Sequence, residues 1–215
     1  MLTIDIETMG LMHHKPLPPM TCACLYDGTT EVRLLFVGID ERTFDDNASK
    51  LLALLDEAPV LAGFNAVLFD LPYIAKLLDI EYDRLEGWKA KCIDPYLGMR
   101  STLHTTCKLQ RLLDMNELGS KTGSGSDAIG LARDGKLQEL LDYCMMDVLL
   151  THALCNLPDI RVTERQGIRL GEDHRWTAVE YDYDEPPPLP PVVADWSGAV
   201  ETMDALMGAQ AVFLM

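Results

Sequence analysis

The N-terminal stretch "LTIDIET" constrains the fold of this chain more than any other. Leu2, Ile4 and Ile6 alternate with polar residues, which is the periodicity of a β-strand with one apolar face. Asp5 and Glu7 therefore project together from the other face. Two neighbouring carboxylates repel each other unless water solvates them or a cation lies between them. The stretch is thus either an ordinary solvated strand or half of a metal site.

The composition is typical of a folded protein with one main domain. The 215 residues are 48% hydrophobic and 24% charged, so the chain can bury a sizeable core. Its apolar runs are too short to span a bilayer, and the N-terminus lacks a basic region followed by an apolar secretory core. We therefore expect an intracellular, cytoplasmic protein.

The cysteines indicate reduced, buried thiols rather than a disulfide framework. Their spacing matches no such framework, and most lie among apolar residues. The six are Cys22, Cys24, Cys92, Cys107, Cys144 and Cys155. Cys22 and Cys24 with His13 and His14 offer ligands for zinc, but this spacing is not a common zinc-finger pattern, and we favour the buried thiols.

The net charge limits how the chain can contact nucleic acid. Its 34 acidic residues outnumber the 18 lysines and arginines, which gives a formal charge of −16. A protein that grips long nucleic acid through phosphates usually presents a basic surface. Any contact with nucleic acid should therefore be local and mediated by metal ions.

The order of the remaining patterns predicts an α/β sandwich with a mixed sheet. "TCACLYDG" and "EVRLLFVG" are separated by the turn signal Asp27-Gly28 and predict a hairpin after the first strand. "FDDNASKLLALLDEAP" predicts a helix with a leucine-rich face, followed by a short strand "VLAGFN" and a helix "LFDLPYIAKLLD". "AKCID" predicts another strand, and helical spacing dominates from Leu103 to Asn156.

Residues 158–215 predict a C-terminal extension to the domain of residues 1–157. "IRVTERQGIRL" and "RWTAVEYDY" predict a hairpin, "EPPPLPP" a stiff linker, and "WSGAVETMDALMGAQAVFLM" a final helix. For the proline run we favour a linker or a strap along a sheet edge over a ligand for an aromatic-lined groove. We expect the extension to pack on the same domain, and we see no catalytic constellation in it.

Two further acids lie at ordered positions on other elements. "AGFNAVLFDLPYI" places Asp70 at the start of a helix, with Asn65 in the connection before it. "LLDYCMMDVLLTHAL" predicts a helix in which Tyr143 and Asp147, four residues apart, share a face. Taken singly, Asp70 is a plausible helix N-cap and Asp147 a plausible solvated helix residue. Together with the two acids of the first strand they form an ordered set.

This set resembles the DEDD superfamily of 3′–5′ exonucleases, in the subgroup that carries tyrosine in its third motif. The three motifs match as Asp5-x-Glu7, Asn65-x-x-x-Phe69-Asp70 and Tyr143-x-x-x-Asp147. The second motif is similar to that of the proofreading domain of family B DNA polymerases. The segment "KTGSGSDAIGLARDGKLQELLDYC" is similar to stand-alone bacterial and viral relatives of that domain. The resemblance covers residues 1–157 and implies a ribonuclease H-like fold with a mixed central sheet flanked by helices.

The resemblance also implies a two-metal-ion mechanism. Two Mg²⁺ or Mn²⁺ ions about 4 Å apart activate water and stabilise the leaving oxyanion, and such hard cations prefer oxygen ligands. By resemblance, Asp5 would bridge both ions. Glu7 and Asp147 would complete the site that activates water, and Asp70 would hold the second ion, partly through water. Tyr143 would orient the attacking water, because a tyrosine with a pKa near its ordinary value is a poor base at neutral pH.

Candidate substrate contacts lie between the motifs. Basic residues around "GSKTGSGSDAIG" are candidates for phosphate contacts: Lys108, Arg111, Lys121, Arg133 and Lys136. The glycine-rich segment lacks the Gly-Lys-Ser/Thr of a phosphate loop, so we expect a flexible loop over the active site rather than a nucleotide cradle. Leu11, Met12 and His13 either wedge against a terminal base or form a plain surface turn. Asn65 of the second motif is a further candidate.

The preferred hypothesis is a metal-dependent 3′–5′ exonuclease that acts on nucleic acid, with single-stranded DNA favoured over RNA. One alternative is a catalytically weak accessory subunit that binds a replication or repair protein through the C-terminal extension. An RNA 3′-end trimming exonuclease is another. The last is an unrelated structural or metal-stabilised protein, which an EDTA-sensitive nuclease activity would exclude.

Overall fold

The computed structural model describes residues 1–121 and 125–181. The acidic N-terminal pattern forms strand β1 (Leu2–Thr8), and the two predicted strands after it form β2 (Met20–Tyr26) and β3 (Glu31–Leu35). β1 pairs antiparallel with β2, and β2 pairs antiparallel with β3. The predicted hairpin is therefore confirmed.

Two short strands complete the central sheet. β4 (Leu61–Ala62) pairs parallel with β1, and β5 (Cys92–Ile93) pairs parallel with β4. The strand order is β3-β2-β1-β4-β5, so β1 lies in the middle of a mixed five-stranded sheet. This arrangement confirms the predicted α/β fold. It also brings the C-terminal ends of β1, β4 and β5 to the same edge of the sheet.

Helices flank this sheet, and their bounds follow the chain order. They are α1 (Glu41–Glu57), α2 (Asp70–Leu77), α3 (Tyr82–Ala90), α4 (Pro95–Thr102), α5 (Leu109–Met115), α6 (Gly125–Arg133) and α7 (Leu137–Cys155). α1 begins where the Asp40 carboxylate accepts a hydrogen bond from the Thr43 N–H at 3.0 Å, and its Leu51 and Leu55 are buried. Among the described residues, no helix combines the length and apolar content needed to cross a bilayer.

Three helices differ from the sequence predictions. α3 and α4 were not predicted, because neither carries a regular apolar stripe. Trp88 is the buried side chain of α3, and α4 contains a glycine, Gly98. A Cβ on Gly98 would lie 2.6 Å from the ring of Trp176, so the close packing of that ring requires glycine there. α6 begins at Gly125, inside the segment predicted as a flexible loop; residues 122–124 are outside the described part.

A second, smaller sheet follows α7. Its strands are β6 (Ile160–Arg161), β7 (Gln166–Leu170) and β8 (Trp176–Glu180), all antiparallel in the order β6-β7-β8. β7 and β8 form a hairpin in the region where the sequence predicted one. The predicted proline-rich linker and final helix lie outside the described residues, and the domain boundary after Leu157 stays a prediction.

The two faces of β1 have different neighbours. Ile4 and Ile6 belong to the main hydrophobic core, together with Leu51 and Leu55 of α1. On the opposite face, the neighbouring strand β2 packs against α7, where Cys24 Sγ donates a hydrogen bond to the Leu141 carbonyl at 3.6 Å. The acidic face of β1 is therefore covered by α7.

Candidate metal centre

The first two carboxylates of the site are set by the register of β1. Asp5 lies opposite Cys24 of β2, and Glu7 lies opposite Cys22, so all four side chains share the face that α7 covers. Cys144 of α7 donates hydrogen bonds to the Asp5 carbonyl at 3.4 Å and to its Oδ2 at 3.6 Å. This contact fixes the helix over the carboxylates.

The third carboxylate comes from the same helix, close to one turn further along. Oxygens of Asp5, Glu7 and Asp147 lie within 4.8 Å of one another. Asp147 is only 3% exposed, and its Oδ1 is buried with no hydrogen-bond partner among the described residues. A buried carboxylate oxygen without a donor is costly unless something outside the chain satisfies it. Three clustered carboxylates fit a hard divalent cation in that role.

Asp70 approaches the same strand from α2. It is buried, and its Oδ1 accepts a hydrogen bond at 3.0 Å from the N–H of Ile6, the residue between the two β1 carboxylates. Phe69, not Asp70, occupies the N-cap position of α2, and no side chain caps that helix. The N-cap alternative for Asp70 is therefore wrong. Asp70 lies outside the group of oxygens within 4.8 Å.

Burial leaves these acids easier to protonate than in water. Burial, followed by the charges of Asp70 and Glu7, raises the pKa of Asp5 well above its ordinary value. Burial also raises the pKa of Glu7 to about 8 and that of Asp70 to about 7. For Asp147 burial raises the pKa, and Lys121 opposes the shift. The cluster is therefore short of positive charge, which a divalent cation supplies.

Tyr143 and Lys121 border Asp147. Tyr143 is buried, and burial together with the nearby carboxylates raises its pKa above the ordinary value, so its phenol stays protonated at neutral pH. Lys121 Nζ forms an ion pair with Asp147 Oδ2 and lies 5.7 Å from the centre of the Tyr143 ring. Both Tyr143 and Asp147 are thus buried against the site, and the solvated-residue alternative for Asp147 is wrong.

Sequence reasoning missed one buried carboxylate that supports the site. Asp94 is 1% exposed and accepts hydrogen bonds from the N–H groups of Asn65 (2.9 Å), Val67 (3.0 Å), Tyr96 (3.0 Å) and Leu97 (3.3 Å). It thereby caps α4 and holds the loop that leads to α2. The signal was available, because aspartate followed by proline is typical of a helix start.

The predicted substrate residues fall into two groups. Lys121 contacts the carboxylate cluster, and Asn65 lies in the loop held by Asp94, with a left-handed φ of 67°. Lys108 and Arg111 are exposed at the start of α5, and no contact joins them to the cluster within the described residues.

The other predicted contacts lie at the surface. Arg133 is exposed at the end of α6, and Lys136 pairs with Glu139 at 3.3 Å. Leu11 is 53% exposed in the connection after β1, and the neighbouring Met12 packs against the main core. The wedge role of these two residues stays a prediction.

The zinc alternative has no geometric support. Cys22 and Cys24 are fully buried beneath α7, whereas His13 and His14 are exposed and their rings contact each other at 4.6 Å. In residues 1–121 and 125–181, the potential metal ligands that gather in one place are the three carboxylates. All six cysteines are free, as the sequence predicted.

Comparisons with known proteins agree with this fold. The family model RNase_H_2, described as RNase_H superfamily, matches residues 2–157. No curated protein matches the chain. The family B DNA polymerase from the hyperthermophilic archaeon Pyrobaculum calidifontis has a similar structure, with a TM-score of 0.53 and 20% sequence identity. The similarity covers 71% of this chain but only 23% of the polymerase, and at this identity it concerns the fold alone.

Proposed function

The chain belongs to the RNase_H_2 family of the RNase H superfamily, and from that membership we propose that it is a metal-dependent 3′–5′ exonuclease. The observation that carries the proposal is the group formed by Asp5, Glu7 and Asp147. Their oxygens lie within 4.8 Å of one another, and Oδ1 of Asp147 has no partner among the described residues. A fold that needed these acids only for solubility would leave them in water.

Each carboxylate has a defined task in this proposal. Asp5, Glu7 and Asp147 would hold one divalent cation, and Asp5 and Asp70 would share a second. When bound, Mg²⁺ or Mn²⁺ ions make water a stronger nucleophile and stabilise the leaving 3′ oxyanion. The hydrogen bond from Ile6 to Asp70 fixes that carboxylate against β1, so the four acids are positioned before substrate binds.

Two further side chains would act on the substrate and the water. Tyr143 keeps its proton, so its hydroxyl can orient the attacking water but cannot serve as the base. Lys121 is partly exposed and pairs with Asp147, which places its ammonium group beside the cluster. We propose that this group contacts the scissile phosphate when the strand is bound.

We propose single-stranded DNA as the substrate. The excess of acidic residues favours a local grip on one chain end over a long basic groove. The likeness in fold to part of a DNA polymerase supports DNA over RNA. A replication or repair protein that binds residues 158–215 is compatible with this function and stays a proposal.

End-labelled oligonucleotides test the proposal. A 5′-labelled single strand should shorten stepwise with Mg²⁺ or Mn²⁺ and remain intact with EDTA, while a 3′-labelled strand should release its label at once as a mononucleotide. Matched RNA and double-stranded DNA substrates measure the preference. Absence of hydrolysis under all metal conditions would support the accessory-subunit alternative, and internal cleavage would contradict the exonuclease assignment.

A further inference from the structure

An open pocket lies on α4 and the connection that follows it, apart from the carboxylate cluster. It has a volume of about 590 Å³ and is lined by Tyr96, Arg100, His104, Thr105 and Thr106. This volume lies within the range of about 300–1,000 Å³ found for ligand sites. The proposed mechanism uses none of these five residues.

The lining has the chemistry of an anion site. It offers a guanidinium group, an imidazole and three hydroxyl groups, and it contains no carboxylate. Arg33, Arg84 and Arg169 each pair with an aspartate, whereas Arg100 is exposed and has no ion-pair partner among the described residues. In a chain with so many acids, an unpaired guanidinium beside hydroxyl donors is suited to a phosphate group.

The backbone at His104 is strained. This residue follows the end of α4 with a φ of 51°, in the left-handed region where glycine is preferred. A non-glycine residue there costs about 1 kcal/mol. Strain of this kind concentrates at ligand sites, which agrees with the position of His104 in the pocket wall.

The pocket is joined to the second motif by direct contacts. The Tyr96 N–H donates to Asp94, the same carboxylate that accepts the N–H of Asn65 in the loop before α2. The rings of Tyr96 and Phe64 also meet edge to face, with 5.7 Å between their centres. Arg100 lies about one helical turn beyond Tyr96 on α4. One rigid unit therefore carries both the pocket and the approach to Asp70.

We propose that this pocket binds an internucleotide phosphate of the substrate strand, upstream of the bond that is cut. Arg100 would pair with the phosphate, and the hydroxyls of Thr105 and Thr106 would donate to its oxygens. The proposal rests on the proposed exonuclease function, because it assigns the pocket to the same substrate. A free nucleotide carries similar phosphate chemistry, so the experiments must distinguish the two sources.

The first experiment compares Arg100→Gln with a matched control, Arg42→Gln. Arg42 is an exposed arginine of α1 whose ion pair is a 4.0 Å contact with Asp46. The substrates are an oligothymidylate of about 20 nucleotides and the p-nitrophenyl ester of thymidine 5′-monophosphate, which has no upstream phosphate. Arg100→Gln should lower kcat/KM about tenfold on the oligonucleotide and leave hydrolysis of the ester unchanged. Equal losses on both substrates, or no loss on either, would overturn the subsite.

The second experiment identifies the source of the phosphate. Oligonucleotides with one neutral methylphosphonate linkage are compared at successive positions from the 3′ end. One linkage should cost the wild type about tenfold in kcat/KM and cost Arg100→Gln almost nothing, because the charge that it removes has already lost its partner. If no linkage behaves in this way, and if Arg100→Gln instead relieves inhibition of ester hydrolysis by thymidine 5′-monophosphate, the pocket binds free nucleotide and the strand assignment is wrong.

A binding assay separates failure of the subsite from failure of the exonuclease function. Fluorescence anisotropy of a labelled oligothymidylate is measured with Asp5→Ala, alone and combined with Arg100→Gln, in calcium. The added change should weaken binding and reduce the slope of log K against log salt by about 0.7, the value for one phosphate contact to a single strand. Unchanged affinity and slope would refute the subsite, whether or not the wild type hydrolyses DNA.

Discussion

Asp94 and Asp147 are both buried aspartates, but the fold satisfies them differently. Asp94 is 1% exposed and receives four backbone N–H groups at 2.9–3.3 Å. Asp147 is 3% exposed, pairs with Lys121 through one oxygen, and has no partner for the other oxygen among the described residues. The first carboxylate is complete within the protein. The second is left available to a ligand from outside.

Burial alone does not reveal this difference. It is the largest cause of the raised pKa at both Asp94 and Asp147. The distinguishing feature is the identity of the donors, because backbone N–H groups fix a loop whereas one mobile lysine can exchange for a cation. A count of hydrogen-bond partners therefore separates structural from functional carboxylates better than the pKa direction does.

The largest effect should come from Asp5→Ala. We expect the rate of hydrolysis to fall by about 10⁴-fold or more, because the residue would contact both ions. Without metal the mutant should be as stable as the wild type or more stable, since one repelling charge has gone. Single-turnover assays and thermal melting in EDTA measure the two quantities. Activity near that of the wild type would refute the site.

Tyr143→Phe should have a smaller effect on the same reaction. If the hydroxyl only orients water, the rate should fall by about tenfold to a thousandfold, with metal affinity almost unchanged. Stepwise release of mononucleotides at saturating Mn²⁺ measures the rate, and digestion should still run from 3′ to 5′. A mutant that turns over at the wild-type rate, or that loses metal binding, would show that the assigned role is wrong.

Asp94→Ala should act on stability rather than on metal binding. Removing the carboxylate leaves buried N–H groups without an acceptor, so the free energy of unfolding should fall by about 3 kcal/mol. The loss should be the same with and without Mn²⁺, in contrast to changes at the cluster. Urea denaturation with each metal condition tests this, using Asp45→Asn on the exposed face of α1 as the surface control. A loss that Mn²⁺ fully reverses would contradict the distinction between the two aspartates.

The pH dependence should show the unmet charge of the cluster. Burial raises the pKa of Glu7 to about 8 and of Asp70 to about 7, both above their values in an unfolded chain. The folded state therefore binds more protons, and metal-free stability should fall as pH rises from about 4 to 8.

Cations compete with these protons, so the melting temperature should rise more with Mn²⁺ at about pH 8.5 than at about pH 6, by a few degrees. Asp70→Asn should reduce the metal-induced rise. Thermal melting at both pH values, with EDTA or Mn²⁺, provides the comparison. An equal metal effect at both pH values would mean that protons and metal do not share these ligands.

Much of the fold followed from periodicity. The strands β1 to β3 and the helices α1, α2 and α7 have regular apolar patterns, and the structure has them where the sequence predicted. α3 and α4 could not be found in this way, because their stability depends on single contacts. Trp88 donates its indole N–H to Asp56 at 2.8 Å, and Gly98 makes room for Trp176. Such contacts join residues distant in sequence and leave no periodic signal.

The candidate site was partly visible for a related reason. Spacing places Asp5 with Glu7 on one strand face, and Tyr143 with Asp147 on one helix face. Spacing says nothing about which basic residue reaches them. Five were candidates, and the structure brings Lys121 to Asp147 because the segment before α6 passes over that helix face. The role of Asp94 depends on contacts across 29 residues and was missed.

Direct titration with Mn²⁺ tests the central claim, that the unsatisfied carboxylates form a cation site. Electron paramagnetic resonance of free Mn²⁺ gives the affinity of the wild type, Asp147→Asn and the surface control Asp45→Asn. Asp147→Asn keeps the size of the side chain and removes one ligand charge, so it should bind Mn²⁺ at least about tenfold more weakly. Asp45→Asn should bind as the wild type does. Equal affinity in all three proteins would contradict the account.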